Sequence, residues 1–219
     1  MKFLFYSFII LNLVACKSDL NIPKDRVIQT LTEFGEKNKE KNVLIKTDFG
    51  NIELVLFEDT PLHRANFIRS IKSGYYNDAT FYRIVSSFMI QGGDMNGKKT
   101  NFLVPNEVKS KYFHKAGALA MAHYDENNPQ KNSSPTEFYI VKGRRYLSDD
   151  LQDLVKTGKY TEDQIKIFET IGGAENLDGS YTVFGEVVKG MDVVEKIAAL
   201  KTNDDESPKQ KVNFKISCY

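Results

Sequence analysis

One short stretch, residues 81–94, brings together within a few positions several residue types that could do chemistry. It carries a cation at Arg83, large apolar side chains at Phe88 and Met89, an amide at Gln91 and a pair of glycines. Arginine stays protonated and presents its N–H groups as a rigid fork. An arginine beside an apolar surface is therefore a candidate for directed hydrogen bonding to a bound molecule.

Two neighbouring β-strands are predicted to position these side chains, because side chains alternate between the two faces of a strand. The sets predicted to share a face are Phe81, Arg83 and Val85; Phe88, Ile90 and Gly92; and Met89 with Gln91. Arg83 is thus expected beside apolar neighbours.

The rest of the chain predicts short strands and two helices. Residues 43–57 indicate a β-hairpin around a glycine-containing turn, and residues 212–216 alternate as a final strand. A helix is predicted after Thr60, which is its expected N-cap, and a second helix after Gly190. About eight short strands with two helices predict a mainly β fold, an antiparallel barrel capped by the helices.

Residues 142–176 interrupt this pattern. One helical pattern begins at Ser148 and stops at Gly158, and a capping box begins a second helix at Thr161. We expect a helical hairpin inserted between two barrel strands. Two roles for this hairpin are open. It is either a surface insertion that only packs its own apolar face, or a flap that borders the binding groove.

Several motifs together resemble the cyclophilin-type peptidyl-prolyl isomerases. They are Phe-x-Arg-Ile at 81–84, Phe-Met-Ile-Gln-Gly-Gly-Asp at 88–94, Gly-Ala-Leu-Ala-Met-Ala at 117–122, Glu-Phe-Tyr-Ile at 137–140, and Leu-Asp-Gly with Val-Phe-Gly at 177–185. The resemblance covers residues 42–219. It implies a closed eight-stranded barrel and an enzyme that accelerates rotation about Xaa-Pro bonds without a cofactor or metal ion.

The resemblance also implies residue roles. Arg83 would donate to the prolyl nitrogen, and Gln91 would orient Arg83 and the substrate backbone. The implied substrate-binding residues are Phe88, Met89, Ala122, His123, Glu137, Tyr139, Leu177 and Tyr181. Alternatively, Phe88, Met89 and Leu177 belong only to the core, and Arg83 is a surface ion-pair partner.

Four positions depart from the family pattern. Tyr82 and Tyr181 stand where histidines are common, and Asn176 stands where cyclosporin-sensitive members carry tryptophan, so weak cyclosporin binding is expected. Glu137 replaces a glutamine that contacts the peptide backbone. An ionised carboxylate cannot donate, so Glu137 either favours substrates with an amide or basic group or pairs with Arg83 and lowers catalysis.

The N-terminus indicates export. Lys2 precedes an apolar run that ends in Leu-Val-Ala-Cys at 13–16 and is too short to span a bilayer. This end resembles the bacterial lipobox, which implies a signal peptide at 1–15 and a lipidated Cys16. Residues 17–41 are polar, so we expect residues 16–41 to be mostly a tether, with a turn or two of helix over 27–34. The alternatives are an ordinary signal peptide, a buried hydrophobic terminus, or a Cys16–Cys218 disulfide.

The charge balance and the composition limit the classes of molecule that the chain is expected to bind. With 30 Lys+Arg against 29 Asp+Glu, the chain lacks the basic excess typical of nucleic-acid binding. Its three histidines lack metal-ligand spacing. We therefore expect a lipid-anchored, monomeric isomerase on a bacterial membrane that acts on proline-containing exported polypeptides. The alternative is a proline-peptide-binding chaperone or assembly module with weak catalysis.

Overall fold

The computed structural model describes residues 20–93 and 100–219. Within them the strands are β1 (Asn42–Thr47), β2 (Gly50–Leu56), β3 (Thr80–Val85), β4 (Met89–Gly92), β5 (Ala118–Met121), β6 (Phe138–Val141), β7 (Val183–Lys189) and β8 (Val212–Cys218). The α-helices are α1 (Val27–Lys37), α2 (Pro61–Lys72), α3 (Ser148–Thr157), α4 (Glu162–Ile171) and α5 (Met191–Ala198), with 3-10 turns at Lys24–Arg26 and Glu175–Leu177. The strands pair antiparallel and close in the order β1-β2-β7-β5-β6-β4-β3-β8. The predicted closed eight-stranded barrel is confirmed.

The two predicted capping helices, α2 and α5, close the barrel core. Phe67 of α2 is fully buried and meets Phe138 and Phe184 edge-on, with ring centroids 5.2 and 5.3 Å apart. Val194 of α5 is equally buried in the same core. Edge-on aromatic contacts add to the free energy gained by apolar burial.

The start of α2 differs from its prediction. The Thr60 side chain makes no capping bond; its hydroxyl donates to the Phe57 carbonyl at 3.3 Å. Instead the Glu107 carboxylate accepts from the backbone N–H groups of Leu62 and His63 at 3.1 and 2.9 Å. A carboxylate in this position accepts hydrogen bonds from the free N–H groups of the first turn, and its negative charge also interacts favourably with the positive end of the helix dipole.

A second apolar cluster covers the outer face of the barrel at β4, β5 and β6. In β6, Phe138 and Ile140 point into the barrel core, whereas Tyr139 and Val141 point outward. The outward residues of β5 are small, Ala118 and Ala120, and they pack in the cluster that also holds Met89 and Leu177. These three strands are therefore buried on both faces, and their outward side chains form a shallow apolar surface outside the barrel.

A β-bulge in β3 overturns the predicted face of Arg83. Phe81 pairs with Gly92 and Arg83 pairs with Gln91, so Tyr82 is the extra residue on its strand. The bulge leaves Phe81 fully buried inside the barrel while Arg83 points outward. The period-two pattern, which placed Phe81 and Arg83 together, was wrong here.

In β4 the alternation is confirmed for Met89 and Gln91, which lie opposite Ile90. Phe88 was placed wrongly with Ile90. It belongs to the turn before the strand, where its N–H donates to the Val85 carbonyl at 2.9 Å, and it packs in the outer cluster.

The helical hairpin predicted within 142–176 is present as α3 and α4. Its own small core contains Phe168, which is fully buried, together with Leu154, Tyr146 and Phe113. The hairpin closes at its base, where Arg144 and Gly173 exchange backbone hydrogen bonds of 3.0 and 3.1 Å.

The expectation that residues 20–41 are mostly a polar tether is wrong, whereas the turn or two of helix expected over 27–34 is present as the longer helix α1. Helix α1 runs to Lys37, and Leu31 and Ile22 are buried against Phe102 and Val104. The buried Arg64 guanidinium donates to the carbonyls of Gly35, Asn38 and Glu40 at the end of α1. The sequence of this segment is mostly polar because α1 is amphipathic and buries only one stripe of apolar side chains.

The predicted signal peptide (1–15) and Cys16 lie outside the described residues. No helix in the described ranges is long and apolar enough to cross a bilayer. Cys218 is half-buried at the end of β8 and packs against the barrel core.

Candidate functional site

A cavity of about 330 Å³ lies on the outer apolar face of the barrel. The predicted site residues that line it are Arg83, Phe88, Met89, Gln91, Ala122, His123, Tyr139, Leu177 and Tyr181. Tyr124 and Asn176 also line it. The remaining predicted residue, Glu137, touches the cavity wall through Tyr124, so the fold brings all ten predicted positions together.

Arg83 is held at the cavity by two acceptors. Its Nε donates to Glu206 Oε2 at 2.6 Å and its Nη1 donates to Gln91 Oε1 at 3.2 Å. No hydrogen bond from the described residues engages Nη2, and the side chain is 39% exposed. A guanidinium has five N–H groups, so this arrangement fixes its plane and leaves donors for a bound peptide.

Glu137 does not pair with Arg83. Its Oε1 accepts from the hydroxyls of Tyr82 and Tyr124, both at 2.8 Å, and Gln91 Nε2 donates to the Tyr82 hydroxyl at 2.7 Å. Burial and the nearby carboxylate raise the pKa of Tyr82, so its hydroxyl stays a donor. A continuous chain of hydrogen bonds therefore runs from Arg83 through Gln91 and Tyr82 to Glu137.

His123 and Tyr181 form an aromatic wall, with their rings stacked 4.0 Å apart. Burial lowers the pKa of His123, although Asp125, 3.5 Å from Nδ1, opposes the shift. Within residues 20–93 and 100–219, neither ring nitrogen has a hydrogen-bond partner, although the side chain is only 1% exposed. A buried unpaired ring nitrogen favours a hydrogen bond to a group that enters the cavity.

Tyr139 and Leu177 complete the apolar wall, and both are less than a tenth exposed. The Tyr139 ring faces Tyr181 edge-on at 6.1 Å, and its hydroxyl lies 3.0 Å from His114 Nε2. Small outward residues on β5 leave room for these larger side chains.

The sequence did not predict Glu206 or His114. Glu206 lies 123 residues from Arg83 and is held by its own carbonyl, which accepts from the Ile84 N–H at 2.9 Å. No local pattern signals this contact, because residues 201–207 around Glu206 are all polar. His114 lies shortly before β5, and a polar side chain that becomes buried there usually has a hydrogen-bond partner. This position was a weak signal that His114 takes part in a polar contact.

A Ser–His–carboxylate arrangement occurs elsewhere in the molecule. His63 contacts Glu107 through Nδ1 at 2.7 Å and Ser133 Oγ through Nε2 at 2.9 Å. Ser133 and His63 are both 0% exposed, so this hydroxyl cannot meet a substrate and the group is structural. No cluster of three potential metal ligands occurs among the described residues.

Comparisons with known proteins agree with this geometry. The model of the family described as cyclophilin type peptidyl-prolyl cis-trans isomerase/CLD matches residues 42–217. A putative peptidyl-prolyl cis-trans isomerase of Staphylococcus saprophyticus is 32% identical over 190 residues, which cover 81% of this chain and 93% of that protein. A peptidyl-prolyl cis-trans isomerase of Acinetobacter baylyi is 33% identical over 182 residues, 78% of this chain and 81% of that protein.

The fold also has solved relatives. A Cryptosporidium parvum cyclophilin type isomerase, crystallised in the presence of the dipeptide Ala-Pro, superposes with a TM-score of 0.62 at 21% identity and covers 82% of this chain and 99% of that one. At this identity the likeness supports the fold. Because the family model spans most of the chain and the two bacterial relatives align over 93% and 81% of their lengths, the chain belongs to the cyclophilin-type peptidyl-prolyl cis-trans isomerase family.

Proposed function

We propose that the chain accelerates cis-trans rotation about Xaa-Pro bonds in exported polypeptides, with Arg83 as the catalytic donor. The observation that carries this proposal is the placement of Arg83. Its guanidinium is oriented by Glu206 and Gln91 beside an apolar cavity that Phe88 and Leu177 help to line.

The chemistry requires one well-placed donor. Rotation about the prolyl amide must break conjugation, at a barrier of about 18–20 kcal/mol. As conjugation is lost, the lone pair localises on the prolyl nitrogen and becomes a better acceptor. A hydrogen bond from Arg83 to this nitrogen is therefore stronger in the transition state than in the ground state, and each ~1.36 kcal/mol of such differential binding is tenfold in rate.

The cavity walls assign the remaining roles. Phe88, Met89 and Leu177 offer an apolar seat for the proline ring, which holds one side of the bond while the other side turns. Gln91 orients Arg83, and Ala122 and His123 line the path of the substrate backbone. No covalent step is required, since no bond is made or broken.

Export and anchoring form part of the proposal. The lipobox-like residues 13–16 support a lipid at Cys16 and a location on a bacterial membrane. Unfolded exported proteins would then be the source of proline-containing segments.

The catalytic assignment is tested with Arg83→Ala on a short proline peptide. Removing a donor that acts at the transition state should lower kcat/KM about a hundredfold. Arg26→Ala, at an exposed arginine away from the cavity, is the matched control and should leave kcat/KM unchanged. Circular dichroism is used to check that both variants fold. Wild-type turnover retained by Arg83→Ala would remove Arg83 from this role.

A second candidate is a proline-peptide holder with weak catalysis. The Arg83–Glu206 ion pair favours it, because a carboxylate 2.6 Å from Nε offsets part of the donor's charge. The two functions separate in the wild-type protein: a holder binds the peptide without accelerating its isomerisation, whereas an enzyme does both.

A further inference from the structure

A row of hydrogen bonds, buried at its cavity end, joins the inserted hairpin to the wall of the proline cavity. It starts at Tyr160, between α3 and α4, whose hydroxyl lies 2.8 Å from Asp178 Oδ2. Asp178 Oδ1 lies 2.6 Å from His114 Nδ1, and His114 Nε2 lies 3.0 Å from the Tyr139 hydroxyl. Tyr139 is a wall of the cavity, so the row connects the insertion with the binding site.

One assignment of protons satisfies every group in this row. Tyr139 donates to His114 Nε2, His114 Nδ1–H donates to Asp178, and Tyr160 donates to the other oxygen of Asp178. Burial raises the pKa of Tyr139, and burial and Asp178 raise that of Tyr160, so both hydroxyls remain donors. The His114 backbone N–H adds a third bond to Asp178 at 2.8 Å. Fully satisfied buried networks of this kind hold their members in one geometry.

A second connection reaches the same wall. The turn Glu175–Leu177 carries Leu177 and Asn176 into the cavity, directly before Asp178. The Tyr146 hydroxyl contacts the Glu175 carboxylate and lies 3.1 Å from the Glu175 N–H. Arg144, at the base of the hairpin, approaches the same carboxylate at 3.5 Å.

The hairpin core is continuous with the segment before His114. Phe168 of α4 lies edge-on to Phe113 at 5.1 Å and to Tyr160 at 5.2 Å. At Gly173 an added Cβ would lie 2.4 Å from the His114 carbonyl oxygen, so only glycine lets the hairpin base approach this closely. The ordered hairpin therefore packs on both sides of His114.

We propose that the inserted hairpin sets the shape of the proline pocket, and that Tyr160, Asp178 and His114 are positioning residues that fix the Tyr139 ring through this row of hydrogen bonds. The inference rests on the proposed isomerase function and assigns the insertion a part in it. The substrate feature that it controls is the ring at the proline position, because Tyr139 lines the cavity and packs in the same cluster as Met89 and Leu177, which are assigned to the proline seat.

The test compares paired peptides that differ in one ring. One peptide carries proline and the other carries its six-membered homologue, pipecolic acid. The ratio of their kcat/KM values, measured on one enzyme sample, does not depend on the fraction of folded protein. A change that only destabilises the fold therefore leaves this ratio unaltered, whereas a change in pocket shape moves it.

The key variant is Tyr160→Phe, which removes a hydroxyl and keeps the ring packed on Phe168. We expect the ratio of kcat/KM for the proline peptide to kcat/KM for the pipecolate peptide to change roughly threefold to tenfold. A change of this size is typical of the interaction energy between coupled neighbouring residues. Tyr112→Phe is the matched control, because its hydroxyl also bonds a carboxylate, Asp59, outside the cavity. The ratio for this control should stay at the wild-type value.

A double-mutant cycle shows whether the effect passes through Tyr139. In a Tyr139→Phe background the row is already cut, so adding Tyr160→Phe should change the ratio less than about twofold. An unchanged ratio in Tyr160→Phe alone, or the same change in both backgrounds, would overturn the proposal. If the wild-type protein does not accelerate isomerisation of either peptide, the proposed function fails instead, and the two failures are thereby distinguished.

Discussion

At the residue scale, Glu137 gives the groove a negative charge that Arg83 does not neutralise. Both of its described partners are phenol hydroxyls, of Tyr82 and Tyr124, and the charge of Arg83 is already offset by Glu206. Asp125, whose side chain is 84% exposed, lies on the same side beside His123. The geometry thus disfavours the idea that Glu137 pairs with Arg83, and it leaves the preference for basic or amide-bearing substrates.

We therefore expect Glu137→Gln to alter substrate preference. Peptides with lysine or arginine next to proline should lose about two- to fivefold in kcat/KM relative to neutral peptides, the size expected for a partly solvated charge pair. Gln keeps an acceptor oxygen for the two phenols, so the wall should stay in place. In the wild type, the ratio of kcat/KM for basic peptides to kcat/KM for neutral peptides should also fall with added salt. In the variant this ratio should fall less. A many-fold rise in turnover of neutral peptides would instead mean that Glu137 restrains catalysis.

Much of this site was predictable from the sequence, because its residues lie in motifs of specific order. Arg83, Gln91, Tyr139 and Leu177 were placed by those motifs and share one cavity. Glu206 was not predictable, since the contact joins positions 123 residues apart through a polar loop. Such contacts depend on how strands close into a barrel, which no local pattern records.

At the scale of elements, the bulge in β3 shows why strand periodicity alone misplaces a residue. One extra residue at Tyr82 turns Arg83 to the outer face, while Phe81 stays inside. Without the bulge, Arg83 would share the inward face of Phe81 and would bury its charge in the barrel core, at a cost of several kcal/mol. The irregular pairing gives Arg83 access to the cavity.

Helix α1 provides an element-scale prediction about stability. Leu31 is 0% exposed against Phe102 and Val104, so Leu31→Ala should lower the free energy of unfolding by about 2–5 kcal/mol. Ile28 lies on the same helix and is 59% exposed, so Ile28→Ala should change it by less than about 0.5 kcal/mol. Urea denaturation of both variants makes the comparison. Equal, small effects would mean that residues 20–41 do act as a tether and contribute nothing to the fold.

At the scale of the whole molecule, the folded N-terminal segment changes the expected distance to a membrane. Leu20 is already buried, and its carbonyl accepts from Arg69 at 2.8 Å. If Cys16 carries the lipid, only residues 17–19 separate it from the packed domain. The four Cα–Cα steps from Cys16 to Leu20 span at most about 14 Å, so the domain would sit close to the lipid headgroups.

The anchor itself is tested by changing the two cysteines separately. Wild-type protein expressed in a bacterial host should sediment with membranes, resist extraction by high salt and incorporate labelled fatty acid, because acyl chains bind by apolar burial that salt does not weaken. Cys16→Ala should lose both the label and the sedimentation. Cys218→Ala should keep both, since Cys218 packs on the barrel core at the opposite end of the chain. Membrane association that persists in Cys16→Ala would point to an uncleaved apolar N-terminus as the anchor. Loss of association in Cys218→Ala but not in Cys16→Ala would exclude the lipid at Cys16.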